Sequence, residues 1–129
     1  MGVEETKVQN EVRVRHSKVH RGILFRNNVG VAVYPGGSVV VYGLCTGSSD
    51  TIGLTPVKIT PEMVGQELAV FTAFETKRPR RAKKPTAEQL NFVARIQAAG
   101  GIAGVVQQPE QIDQLVADYL ARICGKAGT

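Results

Sequence analysis

Leu68-Ala69-Val70-Phe71-Thr72-Ala73-Phe74-Glu75-Thr76-Lys77 is an apolar run that ends on a carboxylate and an ammonium two residues apart. Its residue types predict a strand over 68–77, central in its sheet, and side chains on a strand alternate faces. Glu75 and Lys77 are therefore expected side by side at the end of a buried strand. Charged groups there are costly unless they are paired or put to use. Asp50 follows the Gly47-Ser48-Ser49 turn and adds a second hard carboxylate. Two carboxylates and one ammonium suit a Mg²⁺ or Mn²⁺ site that cleaves phosphodiesters. The oxygens hold the cation, and the lysine steadies the attacking water or the phosphate charge.

Outward from this strand the chain reads as alternating short elements. Residues 4–19 predict a helix with Val8, Val12 and Val19 on one face. Glu5 and Gln9 flank that face, and Gly22 is placed as a C-terminal glycine. Residues 23–26 form a short strand, Asn27-Asn28-Val29-Gly30 a turn, and 31–34 and 38–42 extended segments around Pro35-Gly36-Gly37. A Gly/Ser-rich loop reaches Asp50, and 51–54 is again extended. Beyond the central strand, Thr86-Ala87-Glu88-Gln89 matches a capping box that opens a helix. That helix runs to about Ala99, with Leu90, Val93 and Ile96 inward, and Gly100-Gly101 stops it. Residues 102–106 are a buried strand. Pro109 opens a last helix with Ile112, Leu115, Val116, Tyr119, Leu120 and Ile123 on its apolar side. The order predicts an α/β fold, a mixed sheet flanked by helices.

At 129 residues the chain is expected to be one domain, 1–129, with a real core. No apolar run approaches membrane-spanning length. The first residues lack the basic start and apolar middle of a signal peptide. Cys45 and Cys124 are two isolated thiols rather than a disulfide framework. These features together predict a soluble, cytoplasmic protein with no membrane partner. The net charge of +5 is unevenly spread, with six cations within residues 77–84. A basic run leaving directly from the proposed site favours contact with phosphates, through Arg78, Arg80, Arg81, Lys83 and Lys84.

The order helix–strands–helix–strand with Asp50 and Glu75-Thr76-Lys77 resembles the PD-(D/E)XK nuclease superfamily, with Ser49 where that pattern has proline. Further segments narrow the resemblance: Glu5-Thr6-Lys7-Val8-Gln9, Phe25-Arg26-Asn27-Asn28-Val29-Gly30, Gly47-Ser48-Ser49-Asp50-Thr51-Ile52-Gly53, and Gln89 ahead of Gly100-Gly101. From Glu5 to about Asp113 the chain is similar to the VRR-NUC (virus-type replication-repair nuclease) family, in its stand-alone phage and bacterial form. The resemblance implies the restriction-endonuclease-like αβββαβ core and a Mg²⁺- or Mn²⁺-dependent endonuclease acting on branched DNA such as four-way junctions, as a homodimer.

It implies Asp50 and Glu75 as metal ligands, Lys77 as the catalytic lysine, Glu5 as the helical acid with Gln9 one turn on, and Gln89 facing the site. The main-chain carbonyl of Thr76 is a candidate further ligand. Alternatives stay open at this level. Glu11 competes with Glu5, and Gln89 also serves as the partner of Thr86 in the cap. Arg26 is a phosphate contact or an ion-pair partner. Asn27 is a DNA contact or a turn former, and Asp50 is also placed to close an Asx turn. Competing functions are a non-cleaving junction-binding module and an accessory subunit active only beside a helicase or recombinase.

Overall fold

The computed structural model describes residues 2–79 and 83–125. In chain order the elements are α1 (Val3–His20), β1 (Ile23–Arg26), β2 (Gly30–Val33), β3 (Val39–Tyr42), β4 (Thr51–Leu54), a 3₁₀ turn (Pro61–Met63), β5 (Thr72–Thr76), α2 (Ala87–Ala98), β6 (Ile102–Val106) and α3 (Gln111–Gly125). The class is mixed α/β, as expected. The continuous mixed sheet is not seen among the described residues. Their strands pair two by two instead: β1 with β4 and β2 with β3, both antiparallel, and β5 with β6 in parallel. Contacts divide the chain into two compact units, Met1–Ile59 and Thr60–Thr129. Among the described residues no helix is long and apolar enough to cross a membrane.

In the first unit, the register of β1 and β4 runs from Ile23 opposite Leu54 to Arg26 opposite Thr51. Helix α1 packs on β1 in a manner the sequence pattern did not suggest. Val8, Val12 and Val19 are about half exposed, and the buried residue of α1 is Gln9, at 8 %. The inward stripe is polar: Thr6, Gln9, Arg13 and His16, at helical spacing. Polar groups at the edge of the β1–β4 pair explain the reversal. Arg13 Nε donates to the Leu24 carbonyl at 3.2 Å, and a His16 Nε2–Thr55 Oγ1 hydrogen bond spans 2.8 Å. The helix ends differently too, since the left-handed residue is Arg21, with φ 57°, and not Gly22. Gly22 serves another purpose: it leaves room for the His16 imidazole, which a Cβ there would meet.

The β2–β3 hairpin starts at Gly30, one residue earlier than the turn reading placed it. Directly opposed residues of an antiparallel pair share a face. Val31 with Val41 and Val33 with Val39 therefore make one face of four valines. Each of them is 58–69 % exposed.

In the second unit, β5 and β6 are joined by α2, the crossover that a parallel pair needs. Both α2 and α3 pack on β6, which accounts for its near-complete burial. Ile96, Ile102, Ala103 and Val106 form the buried apolar core of this unit. The strand expected over 68–77 is shorter, and β5 has β6 as its one partner among the described residues. Pairing cannot extend further back because Gly100, at φ 98°, turns the chain immediately before β6. The last ladder bond at that end runs from Ile102 N to Phe71 O, 2.9 Å.

On α2, Ile96 is fully buried and Val93 half-buried, but Leu90 is 49 % exposed. On α3, Leu115 and Tyr119 turn inward, whereas Ile112, Val116, Leu120 and Ile123 are exposed. The apolar stripe of α3 is wider than the face β6 offers it.

Candidate functional site

Period two along β5 brings the Glu75 and Lys77 side chains to the same side, as the sequence predicts. Lys77 Nζ lies 3.5 Å from Glu75 Oε1, and the two side chains are 17 % and 32 % exposed. This is a half-buried ion pair, less screened by water than a surface pair. Lys77 is anchored by its backbone, whose N–H donates to Val106 O at 2.9 Å.

Backbone bonding along a strand alternates sides. Ile102 N bonds Phe71 O and Lys77 N bonds Val106 O, so residues of odd number on β5 turn their backbone groups toward β6. Thr76 carries an even number, and its carbonyl is left out of the β5–β6 ladder.

Gln89 enters from the first turn of α2. Thr86 caps that helix, and its Oγ1 accepts from Gln89 N at 3.1 Å. The reciprocal bond is also present, with Thr86 N donating to Gln89 Oε1 at 2.9 Å. The Gln89 amide nitrogen then donates to Glu75 Oε1 at 2.8 Å. Gln89 is thus both cap partner and neighbour of Glu75. Sequence reasoning placed Thr86 in the cap and missed its link to Glu75. The signal was present in the capping box itself, since a glutamine at that position has a second polar atom to place.

Asp50, Glu5, Arg26 and Asn27 lie in the first unit. Asp50 is exposed at the mouth of the β1–β4 pair, and its carbonyl accepts from Asn27 N at 2.8 Å. The turn before it is closed by Ser48, whose N–H and hydroxyl both bond Cys45 O, at 3.0 and 2.7 Å. No Asx turn by the Asp50 carboxylate is seen among the described residues. Asn27 is committed to this loop. Its Nδ2 donates to Ser48 Oγ at 2.6 Å and Ser49 O at 2.8 Å, and its Oδ1 accepts from Leu44 N at 2.9 Å. The Asn27 side chain therefore ties residues 44–50 to the end of β1, the role of a turn former. No local signal reveals this, because its partners lie 17 to 22 residues away.

Replacing Asn27 by alanine is expected to destabilise the protein by about 1–3 kcal/mol, the cost of leaving such groups unpaired. Chemical denaturation measures it. A stability unchanged from wild type with weakened DNA binding would instead favour the contact role.

Arg26 is exposed and its guanidinium reaches Asn10 Oδ1 at 3.4 Å. Successive residues of a helix step by about 100°, so Glu5 stands roughly 40° from the buried Gln9 and Glu11 roughly 160°. Glu5 borders the inward stripe. Glu11 is on the outer side, paired with Lys7 Nζ at 4.0 Å, and lines a shallow concavity of about 370 Å³ with Val14 and Lys18. All residues lining that concavity belong to α1, so it is a feature of one helix surface.

Comparison with protein-family models, with curated proteins and with solved structures finds no match to this chain.

Among the described residues, no three His, Cys, Asp or Glu side chains gather where they could hold a metal ion. The donor chemistry at Glu75 nonetheless fits a hard cation. Both of its contacts fall on Oε1, and the Thr76 carbonyl next to it is outside the ladder. Arg78, Lys83 and Lys84 are exposed, while Arg80 and Arg81 lie outside the described residues.

Proposed function

We propose that the chain is a Mg²⁺- or Mn²⁺-dependent endodeoxyribonuclease of the VRR-NUC type, with a restriction-endonuclease-like core, that hydrolyses phosphodiester bonds in branched DNA. The observation that carries the reading is the half-buried Glu75–Lys77 pair at the end of β5, with Gln89 bonded to the same carboxylate. A charged pair and an amide converging there have no evident use in holding the small core of this unit.

In this reading Glu75 and the Thr76 carbonyl would hold the cation, with Asp50 and Glu5 as its further expected ligands, and the cation would supply Lewis acidity toward the scissile phosphate. Lys77 brings a fixed positive charge to the oxygens on which negative charge develops, a term usually large in catalysis. Its shielding from water strengthens that effect. Arg26, Arg78 and the cations of residues 80–84 contact flanking phosphates, which positions a duplex without reading its sequence. The test is cutting of branched and linear DNA by the purified chain, with and without Mg²⁺ or Mn²⁺. Metal-dependent cutting supports the reading. Binding of junctions without cutting under either metal would support a binding module.

Neutralising Arg80, Arg81, Lys83 and Lys84 together is expected to weaken DNA binding irrespective of sequence. It should also flatten the salt dependence by about one unit of slope per lost phosphate contact. Titrations at several salt concentrations measure this, and an unchanged slope would mark the segment as a solvated surface.

The working form is proposed to be a homodimer. Two symmetric cuts in a four-way junction call for two sites related by a twofold axis, and a C2 dimer is the commonest way to supply them. The β2–β3 hairpin supports this. Residues 27–49 contain no charged side chain, and the four-valine face is exposed. An uncharged, exposed apolar hairpin is the kind of surface that proteins cover or protect. Light scattering at micromolar concentration is expected to give twice the 13.9 kDa chain mass, falling toward one chain mass in Val31→Lys or Val41→Lys. A clean monomer that still makes paired cuts would refute the dimer.

A further inference from the structure

Two side chains, Lys77 and Gln89, bear on the Glu75 carboxylate. A glutamine amide has an oxygen end and a nitrogen end of nearly equal shape, and only its partners decide which way it points. At Gln89 the decision is made at the far side from Glu75. The Thr86 backbone N–H can only donate, so the atom it meets at 2.9 Å must be the Gln89 oxygen. The nitrogen is then turned to Glu75, which it reaches at 2.8 Å. The reverse orientation would set a carbonyl oxygen against a carboxylate at one end and two N–H groups against each other at the other end. Both arrangements are repulsive, and neither group is fully solvated.

We infer that Thr86 and Gln89 are positioning residues for Glu75. The cap of α2 orients the Gln89 amide so that it holds Glu75 Oε1, and Oε2 becomes the oxygen that Glu75 presents to its ligand. Lys77 Nζ faces the same Oε1 at 3.5 Å, so both neighbours act on one oxygen. A carboxylate held in this way has lost its freedom to rotate and meets a ligand through one defined atom. That is the usual function of groups that bond a ligating carboxylate from behind. The inference rests on the proposed nuclease reading only for what Oε2 meets.

The element that carries the orientation is the N–H of Thr86, which side-chain changes do not remove. Proline removes it, and the Thr86 φ of −71° already lies in the range that proline adopts. Thr86→Val and Thr86→Pro both delete the capping hydroxyl, so a general weakening of the helix start is common to them. Only Thr86→Pro frees the Gln89 oxygen.

The experiment is nuclear magnetic resonance of the Gln89 side-chain amide in the full chain, with circular dichroism to compare helix content. In the wild type one amide proton of Gln89 is expected downfield of other glutamines and slowed in exchange by about tenfold or more, as for a bond to a charged acceptor. Thr86→Val is expected to keep that signature. Thr86→Pro and, separately, Glu75→Ala are expected to lose it. An ordinary solvent-like Gln89 signal in the wild type would overturn the inference, as would a signature that survives in Thr86→Pro or in Glu75→Ala.

Cutting supplies an independent arm, with Thr86→Pro expected at least about tenfold slower than Thr86→Val, the ratio one such bond supports. Equal rates would overturn the positioning role and leave the nuclease reading standing. A wild type that shows the Gln89 signature but never cuts would sink the nuclease reading and leave the positioning of Glu75 intact.

Discussion

Single replacement of Asp50, Glu75 or Lys77 by alanine is expected to lower DNA cutting by about a hundredfold or more, the scale on which removal of one preorganised electrostatic element is felt. The three variants differ in their cost to the fold. Asp50 is exposed, and its carboxylate has no hydrogen-bond partner among the described residues, so Asp50→Ala leaves the β1–β4 pair untouched. Glu75→Ala leaves the Lys77 ammonium, only 17 % exposed, without its counter-charge. An uncompensated half-buried charge is destabilising, so Glu75→Gln, which keeps the volume and an oxygen for Lys77, is the cleaner companion. Lys77→Ala removes the ammonium but leaves Glu75 bonded to Gln89. Single-turnover cutting, with DNA binding measured alongside, reads the effect. Wild-type-like cutting by any two of the three would sink the site assignment.

The largest effect on stability is expected at Ile96. It is the one large side chain among the described residues with no exposed surface at all. It lies beneath the turn into β6, where a Cβ on Gly101 would press against its Cγ2. Ile96→Ala removes buried methyl groups and leaves a cavity that the tight Gly100-Gly101 turn cannot fill by collapsing. The cost is about 2–5 kcal/mol, against about 0.5–1.5 kcal/mol for Ile96→Val. A domain of this size is stabilised by about 5–15 kcal/mol in total, so Ile96→Ala removes a large share. Urea denaturation followed by circular dichroism measures both variants. Loss below about 1 kcal/mol in the alanine variant would mean that the core of this unit lies elsewhere.

These two predictions draw on different kinds of information. The adjacency of Glu75 and Lys77 was legible in the sequence, because two residues on a strand share a face whatever else the fold does. The capping box of Thr86 and Gln89 was legible for a similar reason, since its bonds span three residues. The bounds of the helices and short strands followed from turn residues and periodicity and were nearly all correct. The central-strand reading failed because the length of a strand depends on its partner, and β6 begins only after the turn at Gly100. The inward face of α1 was misread because an apolar stripe was counted without knowledge of what faces it.

What the sequence by itself determined is therefore local. It includes the elements, the cap of α2, the shared face of Glu75 and Lys77, and the concentration of positive charge after β5. Each depends on backbone sterics or on bonds between residues a few positions apart. Only the tertiary structure decided which strands pair and that β5 and β6 run parallel. It also decided that α1 docks through Arg13 and His16 rather than through its valines, that Asn27 ties residues 44–50 to the end of β1, and that the amide of Gln89 turns its nitrogen to Glu75. In each of these the deciding partner is a carbonyl, a hydroxyl or a carboxylate brought close by a distant part of the chain, and hydrogen-bond donors choose among acceptors by distance in space, not by separation in sequence.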